Sequence, residues 1–233
     1  MSPPVALPEG EEKREAVIQM FDRVAPSYER LNRIISLGQD RRWRARMLAA
    51  LDLPRGARVL DVACGTGDLC RAVAASGGRP VGIDLSAGML GHARTEAPLV
   101  RGDALRLPIA DGAVDGLLCG FALRNFVGLD GFFDETARVV RPGGRIALLD
   151  AAEPTGRLSR VGHRLWFRGA VPRLGAALGG DRDAYRYLPA STAYLPAGDA
   201  LVRAISAAGF ADARRDTFML GAVQLIAGTR DGA

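Results

Sequence analysis

The stretch of sequence that decides the fold is Arg58-Val59-Leu60-Asp61-Val62-Ala63-Cys64-Gly65-Thr66-Gly67. Its first half is a short apolar run that is typical of a buried strand. Its second half has two glycines one residue apart, which allow a tight turn and let a ligand approach the backbone without a Cβ in the way. The next residues, 68–76, have helical spacing. A strand, a glycine turn and a helix in this order predict the first unit of an open α/β sheet.

The same alternation of strands and helices continues towards the C-terminus. Strands are predicted over 80–84, 99–102, 114–120, 145–150, 215–219 and 222–229, and helices over 87–96, 129–140 and 200–208. On the N-terminal side, helical spacing from 14 to 50 is interrupted by Pro26, which predicts two or three short helices. The expected fold class is therefore α/β, with a doubly wound, mostly parallel seven-stranded sheet.

This pattern also predicts how the chain is divided. Residues 1–15 are Pro- and Glu-rich, without the apolar core of a secretion signal or membrane anchor, and are expected to form a loose tail. Residues 16–233 are expected to form a single domain, in which 16–50 make a helical N-terminal cap. After the fifth strand the alternation stops, and the aromatic-rich stretch 153–199 is interpreted as an insertion over the ligand-binding face.

Composition excludes several classes of protein. A chain of 233 residues that is 48% hydrophobic and 24% charged is neither disordered nor fibrous. Every apolar run is broken well before the roughly 20 residues that a membrane span needs. Three cysteines in an odd count, without metal-ligand spacing, favour reduced thiols in a cytoplasmic protein and predict no metal site. The net charge of +5 is modest and scattered, which argues against nucleic acid as a partner.

The end of the second predicted strand supplies the next sign of a ligand. Asp84 follows Gly67 by 17 residues, where a carboxylate can accept hydrogen bonds from both hydroxyls of a ribose. A dinucleotide fingerprint would place a third glycine at position 70, but the chain has Cys70, which disfavours a pyridine-nucleotide oxidoreductase. Asp103 follows the third strand and provides a further acceptor where an adenine would lie.

Four segments now point to a family. VLDVACGTGD, VGIDLSAGML, RGDALRLP and RVVRPGGRIALLD, spread over 58–150, resemble the ordered motifs of class I S-adenosylmethionine-dependent methyltransferases, which have a Rossmann-like fold. The resemblance implies S-adenosylmethionine as cofactor and S-adenosylhomocysteine as product. It assigns the methionine part to the glycine turn, the ribose to the acid after the second strand, and the adenine to the third strand end. The implied cofactor-binding residues are Asp61, Gly65, Thr66, Gly67, Asp84, Asp103, Ala104 and Gly120.

Three further segments resemble a narrower group, the ubiquinone and menaquinone biosynthesis C-methyltransferases. They lie at 20–44, at Leu123-Arg124-Asn125 and at 185–191. This resemblance implies transfer of a methyl group to a ring carbon of a prenylated quinol, with demethylmenaquinol as the expected acceptor. The chain departs from the group's usual pattern at Glu29, Asp40 and 150–152, so a small aromatic or polyketide acceptor stays open. A cofactor-binding protein without catalysis is the third alternative.

The same resemblance implies which side chains face the acceptor. Tyr28, Arg124 and Asn125 are the expected catalytic residues, and an arginine is too strongly protonated to serve as a ready base. We therefore expect Arg124 to stabilise a ring oxyanion, with help from the other two. The alternative is that Arg124 is a partner in a structural ion pair. Of the two histidines, His92 is expected in the middle of a helix on the outer surface, and His163 in the insertion is the stronger candidate base.

One segment suggests contact with a membrane. Residues 157–173 contain five arginines and no acid, interspersed with apolar side chains. Such a segment can rest on an anionic bilayer and admit a prenylated substrate, or it can be a lid helix with a solvated basic face. We expect a cytoplasmic protein with peripheral contact at the inner face of the membrane. The oligomeric state stays open, a homodimer included.

Overall fold

The computed structural model describes residues 8–152, 154, 156, 187 and 190–232. Seven strands form one sheet in the order β3-β2-β1-β4-β5-β7-β6. β7 is antiparallel to both of its neighbours, and the other pairs are parallel. This architecture confirms the predicted fold class. The strands are β1 (Arg58–Val62), β2 (Arg79–Asp84), β3 (Leu99–Arg101), β4 (Val114–Gly120), β5 (Val140–Ala151), β6 (Phe210–Phe218) and β7 (Val223–Arg230).

Three helices precede the sheet, as the interrupted periodicity predicts. They are α1 (Gly10–Val24), α2 (Tyr28–Ile35) and α3 (Asp40–Leu51), and a 3-10 turn at Ala25–Ser27 contains Pro26. Later helices are α4 (Asp68–Ala75), α5 (Ala87–Gly91), α6 (Leu129–Val139) and α7 (Gly198–Ala207). Within the described part of the chain, none of the helices is long and apolar enough to span a membrane.

The expectation of a loose tail over residues 1–15 is wrong for its last six residues. α1 begins at Gly10, and Glu11 and Glu12 lie in its first turn, where acidic side chains favour the helix dipole. Lys13 is buried, and its ammonium donates a hydrogen bond of 2.8 Å to the carbonyl of Phe126. Glutamates that suggest a solvated tail in the sequence are here the exposed face of a docked helix.

The helix after β2 is also shorter than predicted. It ends at Gly91 rather than at Glu96, so His92 is its C-cap residue and does not lie in mid-helix. A tertiary contact explains the early end, because the backbone N–H of Arg94 donates to the carbonyl of Thr66 in the glycine turn. Two strands are longer than predicted: β5 begins at Val140 and β6 at Phe210.

The central strands are buried on both faces and separate two apolar layers. On one side, Phe132 of α6 and Leu201 of α7 pack against the sheet, and on the other side Trp43 and Met47 of α3 do so. The strand order reverses between β1 and β4, which are adjacent and pair in parallel. Ligands of open α/β sheets bind outside the carboxyl ends of the strands at such a reversal. The fold therefore directs attention to the ends of β1, β2 and β4.

Candidate active site

Cavity A opens at this point and takes its polar lining from the strand ends. On the sheet side it is lined by five of the predicted cofactor-binding residues, and on the opposite side by apolar residues of α1. The former are Gly65, Asp84, Asp103, Ala104 and Gly120, and the latter are Val17, Ile18 and Phe21. Parallel strands bring residues far apart in sequence to one edge, which is why the order of the motifs predicts their proximity.

The loop after β1 is held by the carboxylate that ends β2. Asp84 accepts hydrogen bonds from the backbone N–H of Gly65 and of Ser86, both at 2.8 Å. Burial raises the pKa of Asp84, although these N–H donors favour its charged form. Gly65 has a φ of +56°, and a Cβ on it would lie 2.9 Å from the methyl of Met89. At Gly65 the loop thus brings its backbone to cavity A without a Cβ in the way.

The second carboxylate of cavity A, Asp103, lies just after the end of β3. Asp103 accepts a hydrogen bond from the N–H of Leu105 at 2.9 Å and one from Nε of Arg14 at 3.2 Å. Arg14 itself lines the cavity from α1. Two carboxylate acceptors at the ends of the neighbouring strands β2 and β3, in a cavity that also has apolar walls, suit a ligand with hydroxyl and amino groups such as S-adenosylmethionine. The residues present therefore fit this cofactor.

Three predicted cofactor-binding residues do not line cavity A. Gly67 is a turn residue with a φ of +82°, and a Cβ there would meet Thr95 at 2.6 Å. Thr66 is buried, and its carbonyl is held by the N–H of Arg94. Asp61 is completely buried beneath the loop, where Oδ2 accepts from the thiol of Cys70 at 3.4 Å. These residues support the loop from behind, and their direct contact with cofactor stays a prediction.

Burial gives Asp61 an unusual titration. Its Oδ1 has no hydrogen-bond partner in the described part of the chain. Desolvation, which disfavours the charged form, raises the pKa of Asp61 to about 7. The thiol of Cys70 and the distant Arg44 favour the charged form and limit this rise. The β1 carboxyl directly under the loop is thus protonated more readily than an ordinary aspartate.

Sequence reasoning missed the part that α1 has in cavity A. Asp22 of α1 accepts hydrogen bonds from the N–H of Gly88 at 2.8 Å and from the hydroxyl of Ser86. A Cβ on Gly88 would lie 2.8 Å from the Asp22 backbone, so the two helices touch. The Ser86 hydroxyl also accepts from the N–H of Met89, as the N-cap of α5. The signal was present as Phe21-Asp22 in the 20–44 segment, but its contact with α5 was not visible there.

A second space, cavity B, lies on the other side of Tyr28. It is lined by residues of α2, α3 and the ends of β4, β5 and β7. Tyr28 and Phe121 line both cavities, so they form the partition between them. The polar side chains around cavity B include Ser36, Asp40, Arg44 and Arg124, and its apolar ones include Ile35, Trp43 and Met219.

Arg124 is the most deeply buried cation of cavity B. Its side chain is 7% exposed, and its NH1 donates to Asp150, whose side chain is completely buried at the end of β5. The backbone N–H of Arg124 donates to the other Asp150 oxygen at 3.2 Å. Its Nε has no partner in the described part of the chain. The predicted ion-pair role is present in the structure, and the same guanidinium also faces cavity B.

The other two predicted catalytic residues lie at the partition. Asn125 lines cavity A, and its Oδ1 accepts a hydrogen bond of 3.0 Å from the hydroxyl of Tyr187. Burial raises the pKa values of Tyr28 and Tyr187, so both phenols stay protonated at neutral pH. The structure therefore brings Tyr28, Arg124 and Asn125 to one boundary. His163 and the 157–173 segment lie outside the described residues.

Comparison with known proteins identifies the family. The model of the ubiE/COQ5 methyltransferase family matches residues 9–230. A demethylmenaquinone methyltransferase of Roseiflexus sp. (strain RS-1) is 39% identical, over 97% of this chain and 98% of that protein. One from Mycobacterium sp. (strain KMS) is 41% identical over 92% and 94%, and one from Deinococcus radiodurans is 38% identical over 89% of each chain.

Solved structures share the fold at much lower identity. The [4+2]-cyclase SpnF matches with a TM-score of 0.68 and 17% identity, over 98% of this chain and 100% of that one. Haemonchus contortus phosphoethanolamine N-methyltransferase 2 also matches with a TM-score of 0.68, at 14% identity, over 92% and 60%. A cyclase among these neighbours shows that the fold alone does not fix the reaction. The sequence match identifies the family. The chain belongs to the ubiE/COQ5 methyltransferase family, and the predicted cofactor, S-adenosylmethionine, is confirmed with it.

Proposed function

We propose that this methyltransferase transfers a methyl group from S-adenosylmethionine to a ring carbon of demethylmenaquinol, giving menaquinol. The observation that carries the proposal is the meeting of two cavities at Tyr28 and Phe121, with a buried guanidinium facing the second. The relatives named as demethylmenaquinone methyltransferases support the same acceptor. The wider family name includes ubiE/COQ5, and a ubiquinol-type head group would be a neighbouring acceptor class.

On the donor side, the work of the chain is to bind and orient. Asp84 would hold the ribose hydroxyls and Asp103 with Ala104 the adenine edge, while the Gly65 backbone would face the methionine part. S-adenosylmethionine supplies an electrophilic methyl carbon when it is bound. Because a sulfonium methyl is already reactive, alignment with the nucleophile and exclusion of water are the main tasks of the protein. The apolar α1 side chains Val17, Ile18 and Phe21 cover cavity A and serve the second task.

On the acceptor side, the protein has to make a ring carbon electron-rich. Loss of the proton from a ring hydroxyl to water pushes electron density onto the neighbouring carbon, which attacks the methyl. That carbon then releases its own hydrogen as a proton and the oxygen is reprotonated, so the products are menaquinol, S-adenosylhomocysteine and one net proton. A fixed guanidinium in a poorly hydrated cavity stabilises the resulting oxyanion without reorganising. We propose this role for Arg124, whose orientation is set by Asp150. Tyr28, which is protonated and lines both cavities, would donate a hydrogen bond to the same oxygen or to the bound S-adenosylmethionine.

We propose that the location of the enzyme and its contact with the membrane follow from its lipid-soluble acceptor. A cytoplasmic enzyme that methylates a membrane-soluble quinol would bind peripherally to the inner face of the membrane. The 157–173 segment stays a predicted contact for that surface, as part of a predicted insertion over 153–199. A homodimer stays open, and no nucleic-acid partner is proposed.

The test is transfer of labelled methyl to a short-chain demethylmenaquinol by the purified protein. The expected product carries the label on the ring carbon, with one S-adenosylhomocysteine formed per methyl transferred. Label on oxygen, or none on the quinol but some on a small phenol or polyketide, would overturn the acceptor. Binding of S-adenosylhomocysteine without turnover on any acceptor would overturn the enzymatic role and support a binding protein.

A further inference from the structure

Two exposed turns lie next to residues that line cavity B, and each presents a leucine to solvent. The turn between α2 and α3 carries Leu37, which is 57% exposed, and the turn between β6 and β7 carries Leu220, which is 83% exposed. Met219, 38% exposed, precedes the latter. We call these three side chains the apolar rim. Val100 on β3 is the other large apolar side chain with comparable exposure in the described part of the chain.

The position of the rim links it to the second cavity. Ile35 and Ser36 immediately precede Leu37 and line cavity B, and Met219 and Ala222 flank Leu220 and line it too. The two turns come from opposite ends of the sequence, and each carries its exposed leucine next to residues that line cavity B. An apolar compound that reaches cavity B from this face would pass close to the apolar rim.

All three residues of the apolar rim have a left-handed backbone conformation. Leu37, Met219 and Leu220 have φ values of +52°, +49° and +56°. This left-handed region strains residues with a Cβ and favours glycine. In both turns a glycine is the next residue, so each turn could have carried a glycine at the strained position as well. Folding alone does not explain exposed leucines there, whereas contact of these side chains with an apolar phase does.

The turn at Leu37 lies in a positively charged stretch of the chain, whereas the exposed residues before Leu220 include both Arg214 and Asp216. From position 30 to 51 the chain has six arginines and one acid, Asp40, which is buried. Arg30, Arg33, Arg41 and Arg42 are exposed, and the carbonyl of Arg33 accepts the N–H of Gly38 in the turn itself. Apolar tips flanked by exposed cations suit an anionic lipid surface, where the tips enter the acyl boundary and each arginine adds attraction to the head groups.

We infer that the apolar rim, with these four arginines, is a docking surface for an anionic bilayer that delivers a lipid-soluble acceptor directly to cavity B. The choice of a bilayer as partner rests on the proposed function, since a membrane-soluble quinol has to reach cavity B from a lipid phase. The surface is separate from the 157–173 segment, and it consists of described residues. The docked orientation places α2, the start of α3 and the β6–β7 turn against the membrane.

The test uses the full chain and vesicles of equal parts phosphatidylglycerol and phosphatidylcholine. The double variant Leu37→Gly/Leu220→Gly removes both tips and relieves the left-handed strain, so its thermal midpoint should be equal to or above that of the unmodified protein. We expect its vesicle affinity in co-sedimentation to fall by roughly tenfold or more. Val100→Ser, which removes a similarly exposed apolar side chain far from cavity B, should leave vesicle binding unchanged. Vesicles of phosphatidylcholine alone should bind at least several-fold more weakly.

Unchanged vesicle binding in the glycine double variant would overturn the surface. So would a dimer in light scattering that dissolves in the same variant without vesicles, because the rim would then contact a second copy. The readout does not depend on methyl transfer. If the protein binds vesicles through the rim but does not methylate demethylmenaquinol, the docking surface stands and the proposed acceptor fails. If methyl transfer occurs and vesicle binding ignores the rim, the acceptor stands and the surface fails.

Discussion

Cavity A and cavity B lie on either side of Tyr28, yet they are built in different ways. The carboxylates of cavity A follow β2 and β3, and the exposed backbone at Gly65 follows β1. Cavity B takes its side chains from α2, α3, the end of β4 and the β6–β7 turn. The first cavity thus takes its carboxylates from strand ends, which a parallel sheet always brings together, whereas the second takes most of its polar side chains from α2 and α3, whose position depends on helix packing. A shared cofactor belongs in the first kind of site and a specific acceptor in the second.

The two cavities also differ in charge. The strand ends give cavity A the carboxylates of Asp84 and Asp103, the second paired with Arg14, and these acceptors suit a ligand with hydroxyl and amino donors. Cavity B is faced by the guanidinium of Arg124, held by the buried Asp150. A positive group in a poorly hydrated site favours an acceptor that develops negative charge. Substitutions in one cavity should therefore affect one half of the reaction.

The substitution Arg124→Ala is expected to separate turnover from cofactor binding most strongly. Arg124→Ala should lower kcat about 100- to 1,000-fold, because the oxyanion loses its fixed cation. S-adenosylhomocysteine affinity in calorimetry should be nearly unchanged, since Arg124 lines cavity B and not cavity A. Equal loss of turnover and of cofactor binding would contradict the catalytic role.

A stability control is needed for this substitution. Arg124→Ala leaves the buried Asp150 without its cation, and breaking a buried pair in this way costs about 3–5 kcal/mol. The double variant Arg124→Met/Asp150→Asn removes both charges and should recover most of that free energy of unfolding. Its kcat should stay low. Recovery of kcat together with stability would show that the pair serves folding alone.

The carboxyl beneath the loop of cavity A is expected to make the stability of the protein depend on pH. The pKa of Asp61 is raised by burial to about 7, so between about pH 4 and 7 the folded protein binds a proton that the unfolded chain does not. The stabilisation is complete below the pKa of the unfolded chain and is lost as pH rises through 7. The loss is at most on the order of 4 kcal/mol for a shift of this size. Urea unfolding at pH 5 and pH 8 measures it.

Asp61→Asn gives the comparison for this measurement, since the amide is neutral at every pH. The variant should lose the part of the slope between pH 5 and 8 that comes from this group, and at pH 8 it should be the more stable protein. An identical slope in both proteins would mean that Asp61 is charged in the folded state.

The contrast between the cavities also explains what the sequence could predict. Gly65, Asp84 and Asp103 were found because strand ends and their order are local signals, Ala104 and Gly120 were added by the family resemblance, and the parallel register brings all five together. The depth of Asp61 and the early end of α5 depend on tertiary contacts, such as the Arg94–Thr66 hydrogen bond. No periodicity reports such contacts.

Cavity B shows the limit more clearly. Arg124 and Tyr28 were identified by resemblance, but their shared boundary depends on α2 packing over the end of β4. The partner of Arg124, Asp150, lies 26 residues away in sequence and was noted only as a departure from a pattern. The early start of α1 was missed because its exposed glutamates read as solvated tail, whereas its buried Lys13 contact comes from residue 126.

A smaller but cleaner effect on cavity A is expected from Asp84→Ala. The carboxylate would hold two ribose hydroxyls, and hydrogen bonds to a charged group are worth about 1.5–3 kcal/mol each. We therefore expect S-adenosylhomocysteine affinity to fall about 100-fold in calorimetry. Asp134→Ala, which removes an exposed aspartate of α6, should leave the affinity unchanged. A change of less than threefold (~0.7 kcal/mol) for Asp84→Ala would exclude the ribose role.

The smallest expected effect tests whether α1 belongs to cavity A as its cover. Asp22 joins α1 to α5 through the Gly88 N–H and the Ser86 hydroxyl, and it is exposed, so its hydrogen bonds are worth about 1 kcal/mol. Asp22→Ala should loosen α1, raise its amide exchange and weaken S-adenosylhomocysteine binding roughly fivefold. Glu15→Ala, an exposed change on the same helix, should do neither. Because Asp22 does not line cavity A, a loss of affinity without faster exchange in α1 would mean that the substitution acts by another route, and the helix would then not be the cover that we describe.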